Sequence, residues 1–555
     1  MATLAQGLDV ETLNLALKSI NDFAERELPD ARLIELDERD ECPEAVVRMM
    51  SSPDGLGIQL LFVPFEYGGM GGGAFDVYRI CERMAAVDLG LATSELATFL
   101  GSDPLRVGGT EDQKALYLGK IAKEGVLFAY GATEPEAGSD LTALKTVAEP
   151  VAEDGTITGY RISGAKQWIS NGGVADLYTV LALAPGGPTW FVVEAGAEGF
   201  THGEHEDKHG IRLSNTAALF LNKVYVDADR VIGGVEGQGL VQAQQVFGYT
   251  RVMVAAFGLG AGWSALERAI PYSKKRIAAG GPLSEKQGFT YKLITPHAIA
   301  LEAARAAIEE TALRLDEGEP GLQIEGAIAK LLATEAGDAA ADAAIQAHGG
   351  YGYTHHYMVE KIKRDVRITR IYEGTTEIME MTIARGRWQE HLKSGGDYYH
   401  ARARDLEALH AENPAVGADI AALSEHALAE LLERCRVQRL TREQHILFRL
   451  GALIAQVEGA EALARRAALA AAKQLGPKAS KRLKPDALAA ASRVNARNAA
   501  MAIASEGVRW PTGADGGDLG DLEQRLNVTA IHRAQSGLMA DLQEVTTAVY
   551  GRMRP

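Results

Sequence analysis

The sequence predicts an α+β protein that is mainly α-helical, with a small β region inserted between helical regions. Alanine-rich stretches dominate most of the chain and only 6% of the residues are aromatic, a composition that favours helix. Short β-branched and aromatic runs, separated by turn-forming residues, interrupt this pattern once before long helical patterns return. The 555 residues are therefore divided into a helical region at 1–127, a β region at 128–239, a helical region at 240–390 and a further helical region at 391–555.

Helical spacing of apolar residues is clear in "DVETLNLALKSINDFAERELP" (9–29), which predicts a helix that stops at Pro29. "VPFEYGGMGGGAFDVYRICERMAAV" (63–87) predicts a glycine-rich loop that leads into a helix. Strands are predicted for the β-branched and aromatic runs "DLYTVLALA" (176–184), "TWFVVEA" (189–195) and "ALFLNKVYV" (218–226).

After residue 240, long alanine-rich runs such as "AIAKLLATEAGDAAADAAIQAHGG" (327–350) predict long helices. "GLGAG" (258–262) lies inside a helical pattern with no strand before it, so it predicts close helix packing rather than a dinucleotide-binding loop. Towards the C-terminus, "GPKASKRLKP" (476–485) predicts a basic linker and "WPTGADGGDLG" (510–520) predicts a loop.

The net charge of −17 argues against a general affinity for nucleic acid or anionic lipid, because both need basic surfaces. A local basic stretch around Pro477 is compatible with that net charge. Its composition favours a solvated linker over a peripheral membrane contact. Its members are Arg465, Arg466, Lys473, Lys478, Lys481, Arg482 and Lys484.

The three cysteines, Cys42, Cys81 and Cys435, are scattered, which indicates a reducing compartment without a disulfide framework or a zinc site. Acidic residues precede Lys18, unlike in a secretory signal, and the apolar run 252–266 is too short to span a bilayer. We therefore expect a soluble, cytoplasmic protein. No metal site is expected, because the candidate ligands have no convincing third partner: His355, His356 and Glu360.

Glu373 in "TRIYEGTTEI" (369–378) is a carboxylate whose role the residues alone leave open. It precedes Gly374, two threonines and a renewed apolar pattern, which is typical of the entry to a helix. An acid at that position stabilises the helix dipole, so one interpretation is purely structural. The other interpretation is that Glu373 is held there for chemistry.

Four motifs occur in a fixed order: "YGATEPEAGSD" (130–140), "KQWISNGG" (166–173), "QAHGGYGY" (346–353) and "IYEGTTEI" (371–378). With their spacings they resemble the acyl-CoA dehydrogenase family over about residues 1–390. The added C-terminal helices are similar to the very-long-chain branch of that family. The resemblance implies an N-terminal helical domain, a middle β-barrel and a C-terminal four-helix bundle, followed here by an additional helical domain.

The resemblance also implies a reaction, the α,β-dehydrogenation of an acyl-CoA thioester to the 2-enoyl-CoA, with FAD as cofactor and electron-transferring flavoprotein as electron acceptor. Glu373 matches the base that removes the α-proton, and Gly374 lets the backbone approach and polarise the thioester carbonyl. Some branches take the base from the residue before an arginine in the third domain. Here that pair is Thr250–Arg251, and threonine cannot act as the base.

The FAD contacts that the resemblance implies come from two regions. In the β region they are Tyr130, Thr133, Ser139, Trp168 and Ser170. In the bundle they are Arg276, Gln287, Gln346, Gly350, Thr375 and Glu377. A lone tryptophan in a strand is more often part of a core, and an exposed basic helix face is the structural alternative for Arg276. Ala278 and Ala279 replace a threonine and a phenylalanine that are common near the adenine end.

The acyl-CoA contacts implied by the same resemblance are Ser139, Arg251 and Gly374. Gly248 stands where relatives often place an aspartate, so the contacts with CoA are expected to differ there. The small-residue run "VDLGLATSELATFLGS" (87–102) is consistent either with the wall of a substrate pocket or with close helix packing.

Two alternatives compete with a dehydrogenase. An acyl-CoA oxidase would carry out the same half-reaction and use dioxygen as acceptor. A DNA-associated flavoprotein of the alkylation-response type needs a strongly basic face, which the net charge of −17 disfavours. By resemblance to the extended branch we expect a homodimer, because the added helices occupy a face that shorter relatives use to form tetramers.

Overall fold

The computed structural model describes residues 7–515 and 519–552, apart from the side chains at 247, 248, 515 and 552. The chain contains two compact units. The first unit comprises the chain up to residue 253 together with residues 313–320, and the second comprises residues 254–312 and 321 onwards. The boundary at residue 253 falls inside one long helix, Gly239–Lys275.

Within the described residues, the first unit begins with six α-helices. They are α1 (Val10–Glu27), α2 (Asp30–Glu38), α3 (Glu44–Ser51), α4 (Ala74–Val87), α5 (Leu89–Gly108) and α6 (Glu111–Glu124). The Asp9 carboxylate accepts from the Thr12 N–H at 2.7 Å and caps α1, and Pro29 stands at the N-cap of α2. The predicted helix stop at Pro29 and the predicted glycine-rich entry to α4 are both confirmed.

The β region forms one seven-stranded sheet in the order β1-β4-β2-β3-β7-β6, with β5 paired to β4. The strands are β1 (Phe128–Gly131), β2 (Val147–Glu153), β3 (Thr156–Ser170), β4 (Leu177–Ala184), β5 (Gly187–Glu194), β6 (Phe200–His202) and β7 (Thr216–Asp227). Buried Phe128, Leu181 and Trp190 of the sheet pack with Tyr117 and Ile121 of α6. The three runs predicted as strands are β4, β5 and β7, so the middle β domain is confirmed.

The bundle part of the second unit contains long helices joined by short connections. It comprises the end of α7 (Gly239–Lys275), the hairpin β8 (Ile277–Ala278) and β9 (Gly281–Pro282), α8 (Gln287–Leu293), α9 (Thr295–Asp316), α10 (Gln323–His348), α11 (Met358–Val366) and α12 (Thr376–Lys393). A Cβ at Gly258 would lie 2.6 Å from the Ala333 carbonyl oxygen, and one at Gly262 would lie 2.9 Å from Gly337 Cα. The "GLGAG" segment therefore lets α7 and α10 pack closely, as predicted.

The last helices are α13 (Tyr398–Glu412), α14 (Ala418–Val437), α15 (Gln444–Ala471), α16 (Pro485–Asp515), α17 (Leu519–Arg525), α18 (Val528–Arg533) and α19 (Leu538–Arg552). The loop predicted at 510–520 is wrong for all of its described residues, because α16 continues through Pro511 to Asp515 and α17 begins at Leu519. Residues 516–518 lie outside the described part of the chain. Trp510 is buried with the Arg449 guanidinium 5.9 Å from its ring, so packing outweighs the local preference of proline for a helix end.

Two arginines of the basic stretch around Pro477 form ion pairs with neighbouring helices. The Arg466 guanidinium is buried against the Glu309 carboxylate. Arg482 pairs with Glu267, and its guanidinium lies 4.2 Å from the centre of the Trp263 ring. The prediction of a solvated linker is therefore wrong for these two arginines, since their charges are used to hold the stretch against α7 and α9.

A buried ion pair joins α12 to α15. Arg387 donates through Nε and Nη2 to the two carboxylate oxygens of Glu458 at 2.7 and 2.8 Å, and the Tyr399 hydroxyl donates to the same carboxylate at 2.9 Å. Burial alone would raise the pKa of Glu458, but the guanidinium groups of Arg387 and Arg402 outweigh it and lower this pKa to about 2. The bundle and the additional helices are thus joined by a buried ion pair in which the arginine charge keeps Glu458 ionised.

Replacing Arg387 with methionine should lower the free energy of unfolding by about 3–5 kcal/mol, because it leaves the Glu458 carboxylate buried and uncompensated. The double variant Arg387→Met/Glu458→Leu should recover much of that loss, since it removes both charges. In the wild type, the contribution of ionised Glu458 to the free energy of unfolding should be complete above a pH of about 4.3. It should be lost as the pH falls towards 2.

Urea unfolding of the three proteins at neutral and acidic pH measures these differences. The exposed pair Arg404–Asp397 supplies the matched control, and Arg404→Met should change the stability far less. Equal losses in Arg387→Met and Arg404→Met would contradict the role assigned to the buried pair.

Candidate active site

Trp168 lies on a β-bulge of β3. The pairing of β3 with β7 shifts register between Lys166 and Ile169, and Trp168 has a φ of +56°. Its side chain is 61% exposed, although the neighbouring strand residue Ile169 is buried. The interpretation of Trp168 as a core residue is therefore wrong, because the bulge turns a large apolar ring out of the sheet core.

Three hydroxyl groups accompany this bulge or its neighbouring loop. Thr133 lies beside the bulge, because its carbonyl oxygen accepts from the Gln167 N–H at 3.0 Å. Ser170 is the last residue of β3, and Ser139 is exposed in the loop that follows β1. Within the described part of the chain, none of these three hydroxyls makes a hydrogen bond. They are available to a ligand.

The loop after β1 is anchored by a buried ion pair that the sequence analysis did not identify. Lys166 donates to Glu134 at 2.7 Å and to the Leu181 carbonyl at 2.7 Å, and the same carboxylate accepts from the Lys145 and Thr146 N–H groups at 2.7 and 3.0 Å. Burial lowers the pKa of Lys166 to about 8, although the carboxylate opposes that shift. Lys166 at the start of "KQWISNGG" and Glu134 of "YGATEPEAGSD" therefore hold these two motifs together.

Tyr130 packs against the core beneath the β1 loop. It lies in β1, partly buried, with its ring centre 4.7 Å from that of Trp190. Trp190 in turn donates through Nε1 to the Gly239 carbonyl at 3.0 Å. Tyr130 is therefore connected to the core of the first unit.

The alternative position for a base, residue 250, holds no carboxylate and is not accessible to solvent. Thr250 is fully buried, and its hydroxyl donates to the Val246 carbonyl at 3.4 Å. Arg251, the predicted CoA contact, is 9% exposed. Gly248 lies within α7, where only its helical backbone is described.

Glu373 occupies a turn with an unusual backbone, just before α12. Its φ is +53° and that of Gly374 is +93°, both in the left-handed region. Glycine suits position 374 because its φ of +93° is one that L side chains rarely adopt. A non-glycine residue in this region costs of the order of 1–3 kcal/mol, and such residues cluster at active sites.

Lys330 of α10 holds this turn through the turn's own backbone carbonyls. Its side chain is 1% exposed, and its ammonium group donates to the Tyr372 carbonyl at 2.9 Å and to the Gly374 carbonyl. The two carbonyls flank Glu373 in the chain. Lys330 was missed because a lysine in an alanine-rich helix has no local signal for burial, and its partners are remote in sequence.

The start of α12 is fixed by further polar contacts. Thr375 is its N-cap and accepts from the Ile378 N–H at 3.3 Å, so the helix entry predicted after Glu373 is confirmed. Thr376 and Arg370 both donate to the same oxygen of Glu335, each at 2.7 Å. The carboxylate of Glu335 therefore connects the residues before and after the Glu373 turn.

The remaining predicted FAD contacts lie on exposed positions of the second unit. Arg276 follows the end of α7, and its guanidinium is 5.9 Å from the centre of the Tyr351 ring. Tyr272 donates to the His348 carbonyl at 3.2 Å, which brings the ends of α7 and α10 together. Gln287 begins α8 and Glu377 lies in the first turn of α12; Ala278, Ala279, Gln346 and Gly350 are also exposed.

These groups fit the chemistry of FAD. The first unit presents an exposed indole ring and hydroxyls without protein partners, which suit a flat aromatic ring system with polar edges. In the second unit, Arg276 has no ion pair among the described residues, and a Cβ at Gly350 would meet nothing within 4 Å. A free guanidinium and an open backbone suit an anionic pyrophosphate.

Two further features bear on the class of protein. Among the described residues, no helix combines the length and the apolar character needed to cross a membrane. In the same residues, no three histidine, cysteine or carboxylate side chains are grouped so that they could hold a metal ion. His355 instead lies 2.8 Å from Glu360, whose carboxylate also pairs with Arg364.

Models of the three acyl-CoA dehydrogenase domains match this chain in order: the N-terminal domain at residues 11–125, the middle domain at 129–224 and the C-terminal domain at 237–387. A short-chain specific acyl-CoA dehydrogenase of Megasphaera elsdenii is 36% identical over 374 residues, which cover 66% of this chain and 95% of that protein.

Two solved structures are also similar. An electron transferring flavoprotein structure of Acidaminococcus fermentans, described in connection with flavin-based electron bifurcation, contains a chain that is 32% identical and has a TM-score of 0.64. The match covers 68% of this chain and 98% of that one. An acyl-CoA dehydrogenase of Bacillus anthracis complexed with FAD has a TM-score of 0.82 at 24% identity and covers 99% of this chain and 98% of its own, so the fold match includes the additional helices. The chain belongs to the acyl-CoA dehydrogenase family of FAD-dependent oxidoreductases.

Proposed function

We propose that this acyl-CoA dehydrogenase converts an acyl-CoA thioester to its 2-enoyl-CoA with Glu373 as the base, and passes electrons to electron-transferring flavoprotein. The observation that carries the proposal is the Glu373 turn itself. A non-glycine residue with a φ of +53° is held by a buried lysine that binds the carbonyls on either side of it. A carboxylate that served only as a first-turn acid would not need this support.

The chain supplies the proton transfer and the polarisation of the substrate. Glu373 accepts the α-proton of the thioester, and this is the step for which a general base is needed. Negative charge develops on the thioester oxygen as that proton leaves, so a backbone N–H donor at Gly374 stabilises it. When bound, FAD supplies the acceptor for the hydride from the β-carbon.

The binding residues are proposed on the same basis. For FAD they are Tyr130, Thr133, Ser139, Trp168, Ser170, Arg276, Gln287, Gln346, Gly350, Thr375 and Glu377, and for acyl-CoA they are Ser139, Arg251 and Gly374. Support comes from the exposed ring of Trp168 and from the hydroxyls and the guanidinium without protein partners. The exposed alanines at 278 and 279 are proposed to leave the adenine end with fewer side-chain contacts than in relatives.

An anaerobic titration of the FAD-loaded protein with a panel of acyl-CoA thioesters tests the reaction and ranks the substrates. The flavin absorbance should bleach with saturated acyl-CoA and stay unchanged with the matching 2-enoyl-CoA. No bleaching with any chain length or branching pattern would overturn the proposal.

The electron acceptor is tested by reoxidation of the bleached protein. Electron-transferring flavoprotein should restore the flavin colour much faster than air-saturated buffer does. Faster reoxidation by dioxygen would instead identify an acyl-CoA oxidase. The M. elsdenii relative and the A. fermentans structure are what favour the dehydrogenase.

We also propose a homodimer that works in the cytoplasm. The assembly is inferred from the additional helices, and the compartment from Cys42, Cys81 and Cys435, which are all free thiols. Light scattering of the FAD-loaded protein should give the mass of two 59.3 kDa chains. The mass of four chains would contradict the dimer.

A further inference from the structure

A cavity of about 490 Å³, partly open to solvent, lies in the second unit, where the bundle meets the additional helices. Its walls come from α9, α10, α12, α15, α16 and the segment before the Glu373 turn. This volume is within the range of small-molecule sites in proteins, about 300–1,000 Å³. We refer to it as the α12–α15 cavity.

Two glycines of α15 set the shape of this cavity. A Cβ at Gly451 would collide with the carbonyl oxygen of Glu380 on α12, and a Cβ at Gly459 would lie 2.7 Å from the Leu332 Cδ1 on α10. Both glycines lie within the stretch of α15 from Arg449 to Gly459 that lines the cavity, and the contact at Gly451 is with the backbone of α12. The space between them is therefore built into the packing of α15 against the bundle.

The polar side chains of the lining are largely unused. Glu380 makes no hydrogen bond or ion pair with any described residue, although it is half-buried. The carboxamide of partly buried Asn495 likewise has no partner in the described part of the chain, whereas Gln456 and Asn498 are exposed to solvent. Glu380 of α12 and Asn495 of α16 thus leave a carboxylate and a carboxamide available on two helices that line the same space.

The cationic side of the cavity is Arg449. One of its nitrogens donates to Glu506 at 3.3 Å, which leaves further N–H groups of this guanidinium without a hydrogen-bond partner among the described residues. Arg370, by contrast, is held by Glu335 and Asp338. Arg449 and Glu380 line the same cavity and influence each other electrostatically, yet they form no ion pair.

We propose that the α12–α15 cavity binds a small zwitterion of the amino-acid type, with its ammonium group on Glu380 and its carboxylate on Arg449. The aliphatic part of such a molecule packs on the apolar lining, and its other polar groups meet the carboxamide of Asn495. The apolar lining consists of Ala300, Ala303, Leu331, Leu332, Ala336, Ala452, Ala455 and Ala499. A ligand with one charge leaves the opposite charge of the cavity unpaired, which costs affinity.

This site is separate from the one proposed for catalysis and does not rest on it. Glu373, Gly374 and Thr375 do not line the cavity. Thr376 and Arg370 do line it, and both are bound by Glu335. A ligand in the cavity would therefore touch the supports of the Glu373 turn and not the turn itself.

Binding should depend on pH through Glu380. Burial and then the charge of Glu377 raise the pKa of Glu380 to about 7; Glu335 acts in the same direction, while Arg449 and Arg370 oppose it. An ammonium group needs the ionised carboxylate. The zwitterion should therefore bind more tightly at pH 8 than at pH 6.

The test uses the full-length, FAD-loaded protein and isothermal titration calorimetry with three probes of equal chain length. 6-Aminohexanoate carries both charges, hexylamine carries the positive charge and hexanoate carries the negative charge. 6-Aminohexanoate should bind at least about tenfold more tightly than either of the others, the factor expected for one charge-assisted hydrogen bond. Absence of binding by 6-aminohexanoate, or equal binding by hexylamine or hexanoate, would overturn the proposal.

Two variants identify the site. Glu380→Gln and Arg449→Gln should each weaken the binding of 6-aminohexanoate by about tenfold or more, and Glu380→Gln should also remove its pH dependence. The matched control is Glu443→Gln, an exposed carboxylate at the N-cap of α15 outside the cavity, which should bind like the wild type. Unchanged binding in Glu380→Gln, or an equal loss in Glu443→Gln, would contradict the assignment even if Arg449→Gln did not fold.

Discussion

Replacing Glu373 with glutamine should slow flavin reduction by acyl-CoA by roughly 10²–10⁴-fold or more, the contribution of a general base. Glutamine keeps the size of the side chain and its capacity for hydrogen bonds, but it cannot accept the α-proton. FAD should remain bound, because its proposed contacts come from other residues. Anaerobic stopped-flow spectroscopy at saturating acyl-CoA measures the rate.

The matched control for Glu373→Gln lies on the helix that follows. Glu390 of α12 is paired with Lys393 at 2.9 Å, away from the turn, and Glu390→Gln should reduce the flavin at the wild-type rate. A near wild-type rate in Glu373→Gln would show that Glu373 is only a carboxylate at the entry to a helix. The family assignment would then stand, but the base would have to be sought elsewhere.

Replacing Lys330 with methionine should lower the rate of flavin reduction by about 10²-fold, the effect of a misplaced reacting group. Methionine fills a similar volume but donates no hydrogen bond, so the carbonyls of Tyr372 and Gly374 lose the ammonium group that holds them. Glu373 is then free to leave its left-handed conformation. The rate at saturating substrate should fall more than the apparent affinity for acyl-CoA.

Three measurements separate this positioning role from a general loss of stability. Lys330→Arg, which retains a cationic donor, should restore part of the rate. Lys363→Met, which removes a lysine paired with Asp338 at 2.9 Å, should leave the rate near that of the wild type. FAD content and the thermal midpoint of each variant report on folding. An unchanged rate in a well-folded Lys330→Met protein would show that the turn is held by other contacts.

The role of Trp168 shows where local patterns reach their limit. A tryptophan in a run of strand residues suggests a core position, and the motif around it suggests a flavin contact. The backbone excludes the core position, because the register shift in β3 and a φ of +56° turn the ring out of the core. A bulge depends on how β3 pairs with β7, which a single strand does not specify.

The segment after Trp510 shows the same limit in a helix. Proline and glycine predict a loop there, yet α16 continues to Asp515. Burial of Trp510 and its contact with Arg449 of α15 outweigh the propensity of one proline. Similarly, the local sequence predicts that Arg466 and Arg482 belong to a solvated linker. The structure shows instead that they pair with Glu309 of α9 and Glu267 of α7.

By itself, the sequence determined the order of helical and β regions, the strands β4, β5 and β7, the close packing at "GLGAG" and the position of Glu373 before a capped helix. These features depend on spacing within a few residues, through the periods of helix and strand and the chemistry of caps. Only the tertiary structure decided that Lys330 holds the Glu373 turn, that Lys166 anchors the loop of Glu134, and that the α12–α15 cavity exists. Each of these joins residues far apart in the chain, and the packing of whole helices and strands brings them together.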